Sequence, residues 1–305
     1  MSPSVPYHLE LTEEPAAFLA AAGSHLAADP VLTTVIATVT ERIAAADERG
    51  VARGQHPCWW AVVRDEAGAV VGVAMRTAPF EPYPLYVLPM PDEAAVTLAR
   101  LVHERGEPLH GVNGALPAAR RVAEEAARLA GGEVRVHEHL RLFELGELAV
   151  PPSPPGRLRL ATANDLDRAL AWFRAFGLAA AEQAGRDEPH AMPDLTADDM
   201  LLRLEQEVVW LWEDERGEPV HLTAANPPAN GVTRIGPVYT PVRHRGRGFA
   251  SAAVADVSRQ YVERGVRCCL FTDQANPTSN RIYQALGYEA VVDMANLVLT
   301  TPGPA

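Results

Sequence analysis

Between Val150 and Gly156 the chain reads Val-Pro-Pro-Ser-Pro-Pro-Gly, and no other feature limits its fold so sharply. Prolines at this density remove backbone donors and fix φ, so the stretch can be neither helix interior nor central strand; an extended spacer is expected. It falls near the middle of a 305-residue chain, which is about twice the usual domain length. Two domains are therefore expected, 1–150 and 157–305, joined by 151–156. With 48% hydrophobic and 22% charged residues, each half can bury a core of its own.

Several function classes are disfavoured by composition. A formal net charge of −12 speaks against nucleic-acid binding, which needs a basic surface to displace counterions from phosphates. No apolar run approaches the ~20 residues of a membrane span. Met1 to Thr12 lacks the basic stretch and apolar core of a secretory signal, so no membrane partner and a cytoplasmic location are expected. The cysteines, Cys58, Cys268 and Cys269, have the spacing of neither a disulfide framework nor a zinc site. They read as reduced core residues, and no metal is expected. Oligomeric state is not legible.

In the second half, Arg157 to Ala161 reads as a strand. Thr162 to Asp165 offers N-cap residues for a helix carrying Leu166, Ala169, Leu170, Phe173 and Phe176 on one face. Val208–Glu213 and Pro219–Ala224 form a hairpin around Asp214 to Gly217. Thr233 to Thr240 is a further strand, leading through a glycine-rich stretch into an alanine-rich helix that stops near Gly265. Cys268 to Thr272 is a short apolar strand, Pro277 to Leu286 a helix and Ala290 to Leu299 a last strand. The alternation predicts a mixed α/β sheet with at least one parallel crossover. The first half repeats this order: strands at Trp59–Arg64, Val70–Met75 and Tyr83–Pro89, a helix at Asp92–Glu104, an apolar link at His110–Val112, a helix at Pro117–Leu129 and a strand at Val134–Leu145. An internal duplication is expected.

Two motifs carry chemistry. Arg245-Gly246-Arg247-Gly248-Phe249-Ala250 lies between a strand and a helix. Glycines there let backbone approach a ligand, and the free amides and positive dipole end of a helix N-terminus suit a pyrophosphate. Downstream, the segment Asn276 to Tyr288 places Ser279 and Tyr283 four residues apart on one helix face.

In these residues the chain resembles the GNAT superfamily of acetyltransferases. Arg245, Gly248 and Ala250 match that family's R/Q-x-x-G-x-G/A loop, and Asn276, Ser279, Tyr283, Gly287 and Tyr288 match a second pattern, N-x-x-S-x-x-x-Y-x-x-x-G-F/Y. The resemblance covers about Arg157 to Leu299; the first half shares only the element order. It implies an α/β (α+β) protein of two GNAT-like domains, each a mixed, mostly antiparallel sheet flanked by helices. Acetyl-CoA would be the co-substrate, and an acetyl group would pass directly to a primary amine of a small molecule or protein, without a metal. Backbone of Val238, Tyr239 and Thr240 would pair with the pantetheine arm. Amides of Arg245, Gly246, Arg247, Gly248, Phe249, Ala250 and Ser251 would hold the pyrophosphate. Asn276 and Asn280 would contact the pantetheine end, and Tyr283 would protonate the departing thiolate.

Direct transfer also needs a group to take the amine proton. His221, Glu213 and His190 are candidates from position alone. Gly185 to Asp199, with Arg186, Asp187, Glu188, His190 and Asp194, is expected to be an acceptor-side loop whose carboxylates would favour an ammonium group. In the first half, Met90-Pro91-Asp92-Glu93 has no glycine and adds negative charge, so that domain is expected not to bind coenzyme A in the family manner. Three other readings stay open: transfer of a longer acyl group to an amino acid, a non-catalytic acyl-CoA-binding regulatory module, and a dinucleotide-binding domain. The last lacks the G-x-G-x-x-G spacing and the acidic residue on the following strand.

Overall fold

The computed structural model describes residues 7–81, 83–187 and 195–300. Packing divides the chain into two compact units, one made of 1–140 and 292–305, the other of 141–291.

The first unit runs β1 (Tyr7–Thr12), α1 (Pro15–Ala28), α2 (Thr34–Glu48), β2 (Trp59–Asp65), β3 (Val70–Arg76), β4 (Leu85–Val87), α3 (Asp92–Glu104), β5 (Gly111–Ala115), α4 (Ala118–Ala130) and most of β6 (Glu133–Leu145). Alternation on β2 shows how its layers arise. Trp59, Ala61 and Val63 join Leu85, Val87 and Val112 against the alanine-rich faces of α3 and α4. Trp60 turns to the opposite face, stacks on Phe18 of α1 at 6.1 Å and donates to Thr40 of α2 at 2.7 Å. The helices α1 and α2 come from residues that gave no sequence expectation, and His110–Val112, expected to be a link, contributes to a true strand, β5.

The second unit runs β7 (Arg157–Leu160), α5 (Leu166–Gln183), α6 (Ala197–Glu205), β8 (Val209–Glu213), β9 (Pro219–Ala225), β10 (Val232–Tyr239), α7 (Phe249–Val262), β11 (Arg267–Asp273), α8 (Pro277–Ala285) and the start of β12 (Tyr288–Thr300). Thr162 to Asp165, expected to supply N-cap residues, form a capping box between Thr162 and Asp165 ahead of α5. Ala169, Met200, Leu211 and Leu222 pack under α5 and α6, while Val254, Val257, Tyr261, Cys268, Leu270 and Tyr288 form a second cluster under α7 and α8. Of the expected loop Gly185–Asp199, residues 188–194 lie outside those described, and Asp199 belongs to α6, which starts from a Thr196 cap.

The two long strands do not respect linear order. In the first unit β5 is flanked not by β6 but by β12, antiparallel from Met294↔Ala115 to Val298↔Gly111, so the strand order is β1-β2-β3-β4-β5-β12-β6. In the second unit it is β7-β8-β9-β10-β11-β6. Side-chain destinations explain the exchange. Ala295, Leu297 and Leu299 of β12 enter the first core, whereas Phe143 of β6 and Tyr288 enter the second. The expected division at 151–156 differs from this packing, because the spacer precedes β7 but does not decide which core a strand fills.

Candidate functional site

The second unit's sheet opens where its two parallel strands part. β10 and β11 pair only over Val232↔Arg267, Thr233↔Cys268 and Arg234↔Cys269. A register shift between Ile235 and Val238 then carries β10 away, still paired to β9 through Val238↔Thr223 and Tyr239↔Leu222. Beyond Arg234 one edge of β10 therefore has no strand partner among the described residues. Unpaired backbone groups on such an edge are a template for an extended ligand. Val238 and Tyr239 lie on this edge and Thr240 at its end. The ring of Tyr239 lies 5.9 Å from that of Trp172 on α5.

The glycine loop stands at the mouth of the opening. Gly246 and Gly248 take φ of +74° and +84°, a region costly for side-chain-bearing residues. A Cβ at either would meet nothing within 4 Å, so the space above them is open. Gly248 is the N-cap of α7. The amides of Gly246, Arg247, Gly248, Phe249, Ala250 and Ser251 make no hydrogen bond to the protein among the described residues, whereas the Arg245 amide, expected to act with them, donates to the Val242 carbonyl at 3.2 Å; the ladder begins with Ala252 donating to the Gly248 carbonyl at 3.1 Å. Six free amides at the positive end of a helix form an anion cradle. Arg245 is fixed by its Nε, which donates to the Thr240 carbonyl at 3.1 Å, and Arg247 lies over the Phe249 ring at 5.1 Å.

The opposite wall is α8 and the end of β11. Asn276 caps α8 by accepting from the Ser279 amide at 3.1 Å, and its own amide approaches Gln183 of α5 at 3.4 Å. Asn280 is saturated: it accepts from Thr272 at 2.6 Å and donates to the carbonyls of Asp273 and Asn276 at 2.9 and 2.7 Å. Its geometry is that of a brace which holds β11 where β10 no longer does. Tyr283 packs into the core at 6.0 Å from Tyr288 with 8% of its surface left exposed, and burial pushes its phenol well above the usual range. Tyr288 is anchored to Ser258 at 2.8 Å.

The candidate bases are not gathered here. His221 is fully buried on β9, held by Thr240 at 2.7 Å and Thr223 at 2.7 Å, and burial lowers its pKa to about 3. It is a neutral core residue that steadies Thr240. Glu213 is buried at the end of β8, bound by Arg159 and Arg157, with its carboxyl held below the usual range by those bonds. It serves a structural cluster with Asp165, whose carboxyl Arg159 lowers to about 2. His190 lies outside the described residues, as do Glu188 and Asp194.

A cleft of about 690 Å³ adjoins the loop, lined by Leu178, Ala179, Glu182 and Asp187 on one side and by Tyr239, Val242 and Arg245 on the other. Sequence reasoning missed how the end of α5 engages this region. Arg186 forms an ion pair with the buried Asp273, and Glu182 lies 3.7 Å from Arg245. A carboxylate ending the apolar run Cys268 to Thr272 was the one available signal for the first pair.

The first unit lacks these features. β4 and β5 stay paired to Val87↔Gly114, and a Cβ on Gly114 would stand 1.8 Å from the Val87 carbonyl, so the strands are pressed together where β10 and β11 part. At the N-terminus of α3, Asp92 and Glu93 supply the negative charge themselves. Among the described residues no group of three or more His, Cys, Asp or Glu is placed to hold a metal ion, and no helix is long and apolar enough to cross a membrane.

Comparison with known proteins agrees with this architecture. Residues 216–296, from the β8–β9 turn to β12, match the model of the FR47-like protein family. A GCN5-related N-acetyltransferase from Sphaerobacter thermophilus superimposes with a TM-score of 0.62 at 18% identity, covering 100% of this chain and 98% of that one. A Drosophila protein superimposes with a TM-score of 0.62 at 12% identity, covering 96% and 98%. A GCN5-related N-acetyltransferase from Kribbella flavida gives 0.50 at 21% identity, covering 88% and 96%. No curated protein matches the sequence.

Proposed function

We propose that this GNAT-superfamily protein is an acetyl-CoA-dependent N-acetyltransferase whose second unit carries the reaction. One observation supports the reading most: an unpaired strand edge leads directly to a cradle of six unbonded amides flanked by Arg243, Arg245 and Arg247. Thioester, pantetheine and pyrophosphate have the same linear order. Val238, Tyr239 and Thr240 would pair with the pantetheine amides, and the amides of Gly246 to Ser251 would take the pyrophosphate. Asn276 and Asn280 would shape the far wall, through the cap and the brace they form.

In the reaction the neutral amine attacks the thioester carbon, a C–N bond forms and the C–S bond breaks. The amine proton leaves to water, since neither His221 nor Glu213 lines the cleft. The thiolate takes the proton of Tyr283, and the phenolate recovers one from the solvent that received the amine proton; burial keeps the phenol protonated at neutral pH and also makes it a reluctant donor. A second reading, a non-catalytic acyl-CoA-binding module, draws on the small exposure of Tyr283. The reading is tested by mixing the protein with acetyl-CoA and a panel of primary amines and following free thiol. Amine-dependent release supports transfer; coenzyme A binding without any release supports the module.

A further inference from the structure

The register shift in β10 leaves a space at the deep end of the opening. β10 takes three steps from Ile235 to Val238 while β9 takes two from Ala225 to Thr223, so one residue of β10 is bulged. Ile235 and Val238 both turn to the cluster under α7 and α8, which leaves Gly236 and Pro237 together on the face toward α5. Gly236 has φ of +147°, a region that favours glycine, and a Cβ on it would meet nothing within 4 Å beyond its chain neighbours. Continuing the parallel register from Arg234↔Cys269 brings Gly236 level with Phe271 across the opening. Phe271 points to the same face. Leu270 before it enters the cluster under α7 and α8, and Asp273, two residues on, reaches Arg186 just past α5. Cys269 and Leu270 are buried, yet Phe271 stays partly exposed. A glycine without a side chain, a proline without an amide and an aromatic ring thus bound a small apolar space, next to Val238 on the side away from the glycine loop.

We infer that the donor's acyl group lodges over Gly236 with Phe271 as its far wall, so that Phe271 limits the acyl chain the protein accepts to a short one. This assignment rests on the acetyltransferase reading above. With the pantetheine amides on Val238, Tyr239 and Thr240 and the pyrophosphate on the glycine loop, the thioester end of the donor comes to Gly236 next. A methyl group fits there without displacing anything, because the position a Cβ would take is open. A chain extended from that methyl toward β11 has little distance to run, since strands in register stand ~4.8 Å apart and this pair has only begun to part. It meets the ring of Phe271. An apolar pocket of fixed size rejects one surplus methylene by about 10- to 200-fold. Phe271 faces the acyl group and neither the pantetheine amides nor the phosphates, so its replacement changes the choice of donor and leaves affinity for coenzyme A itself unaltered.

The experiment needs no acceptor: coenzyme A, acetyl-CoA and hexanoyl-CoA are titrated calorimetrically into the full chain, into Phe271→Ala and into Phe271→Leu. The wild type should bind acetyl-CoA about tenfold or more tightly than hexanoyl-CoA. Phe271→Ala should bind hexanoyl-CoA at least as tightly as acetyl-CoA, with coenzyme A unchanged. Phe271→Leu keeps an apolar strand residue and so guards against loss of folding; it should shift the preference the same way by a smaller factor. Equal binding of the two thioesters by the wild type, or the wild-type preference retained in either folded variant, overturns the assignment. Weakening of all three ligands alike in a folded variant makes Phe271 a structural residue and overturns it too. Failure of the wild type to bind coenzyme A would instead strike the acetyltransferase reading itself.

Discussion

Single side chains here are informative mainly through what surrounds them. Tyr283 was legible from its spacing to Ser279, but its depth in the core beside Tyr288 was not, because periodicity gives a face and not an environment. Burial raises its phenol above the ordinary value of 10.0, so the phenol stays protonated throughout the neutral range and, on the proposed mechanism, no loss of activity below that pH is expected from this group. Tyr283→Phe should lower turnover about tenfold or more while leaving coenzyme A affinity unchanged, as removal of a general acid does. Steady-state rates beside calorimetry check this, and equal turnover would remove Tyr283 from the mechanism. His221 shows the opposite limit. Two-residue alternation on β9 could not say that its imidazole faces Thr223 and Thr240 in a dry interior. Its pKa falls from 6.5 in the unfolded chain to about 3, so the unfolded state binds more protons between those values. Its stability contribution is full above pH 6.5 and declines as pH drops toward 3. Chemical denaturation of wild type and His221→Asn at pH 7 and pH 5 should show the wild type losing about 2 kcal/mol more over that interval. Identical pH dependence would contradict the assignment.

At the level of elements, most strands and helices of the second half were readable, because capping residues, alternation and glycine stops agreed with the tertiary structure. The capping box at Thr162 and Asp165 and the hairpin turn at Asp214 are examples. Other elements were not: α1 and α2 lie in alanine-rich sequence with no side-chain cap, and α6, although Thr196 and Asp199 cap it, follows a charged stretch that read as loop. The parting of β10 from β11 was also invisible, since it depends on a register shift and on Asn280 and Arg186 supporting β11 from the side. The contrast with β4 and β5 is testable. Gly114 has φ +157° and no room for a Cβ, which would meet the Val87 backbone rather than a movable side chain. Gly114→Ala should cost about 3 kcal/mol or more, the class of a forced backbone shift in a core. A thermal melt unchanged from the wild type would show that the two strands are not locked together.

For the molecule as a whole, linear reading found two halves of like element order and placed their boundary at the proline-rich spacer. It could not find that β6 and β12 each contribute to both units, because strand pairing is decided by which core receives Phe143, Tyr288, Ala295 and Leu297. The asymmetry proposed between the halves, by contrast, rests on local sequence: glycines at 246 and 248 on one side, Asp92 and Glu93 on the other. The proposed function therefore predicts one coenzyme A per chain. The most direct measurement is a calorimetric titration of the full chain with acetyl-CoA beside Gly248→Glu, which sets a carboxylate in the open space above the cradle. The account predicts one site per chain in the wild type and none in the folded variant. Two sites, no binding by the folded wild type, or unchanged binding by Gly248→Glu would contradict it.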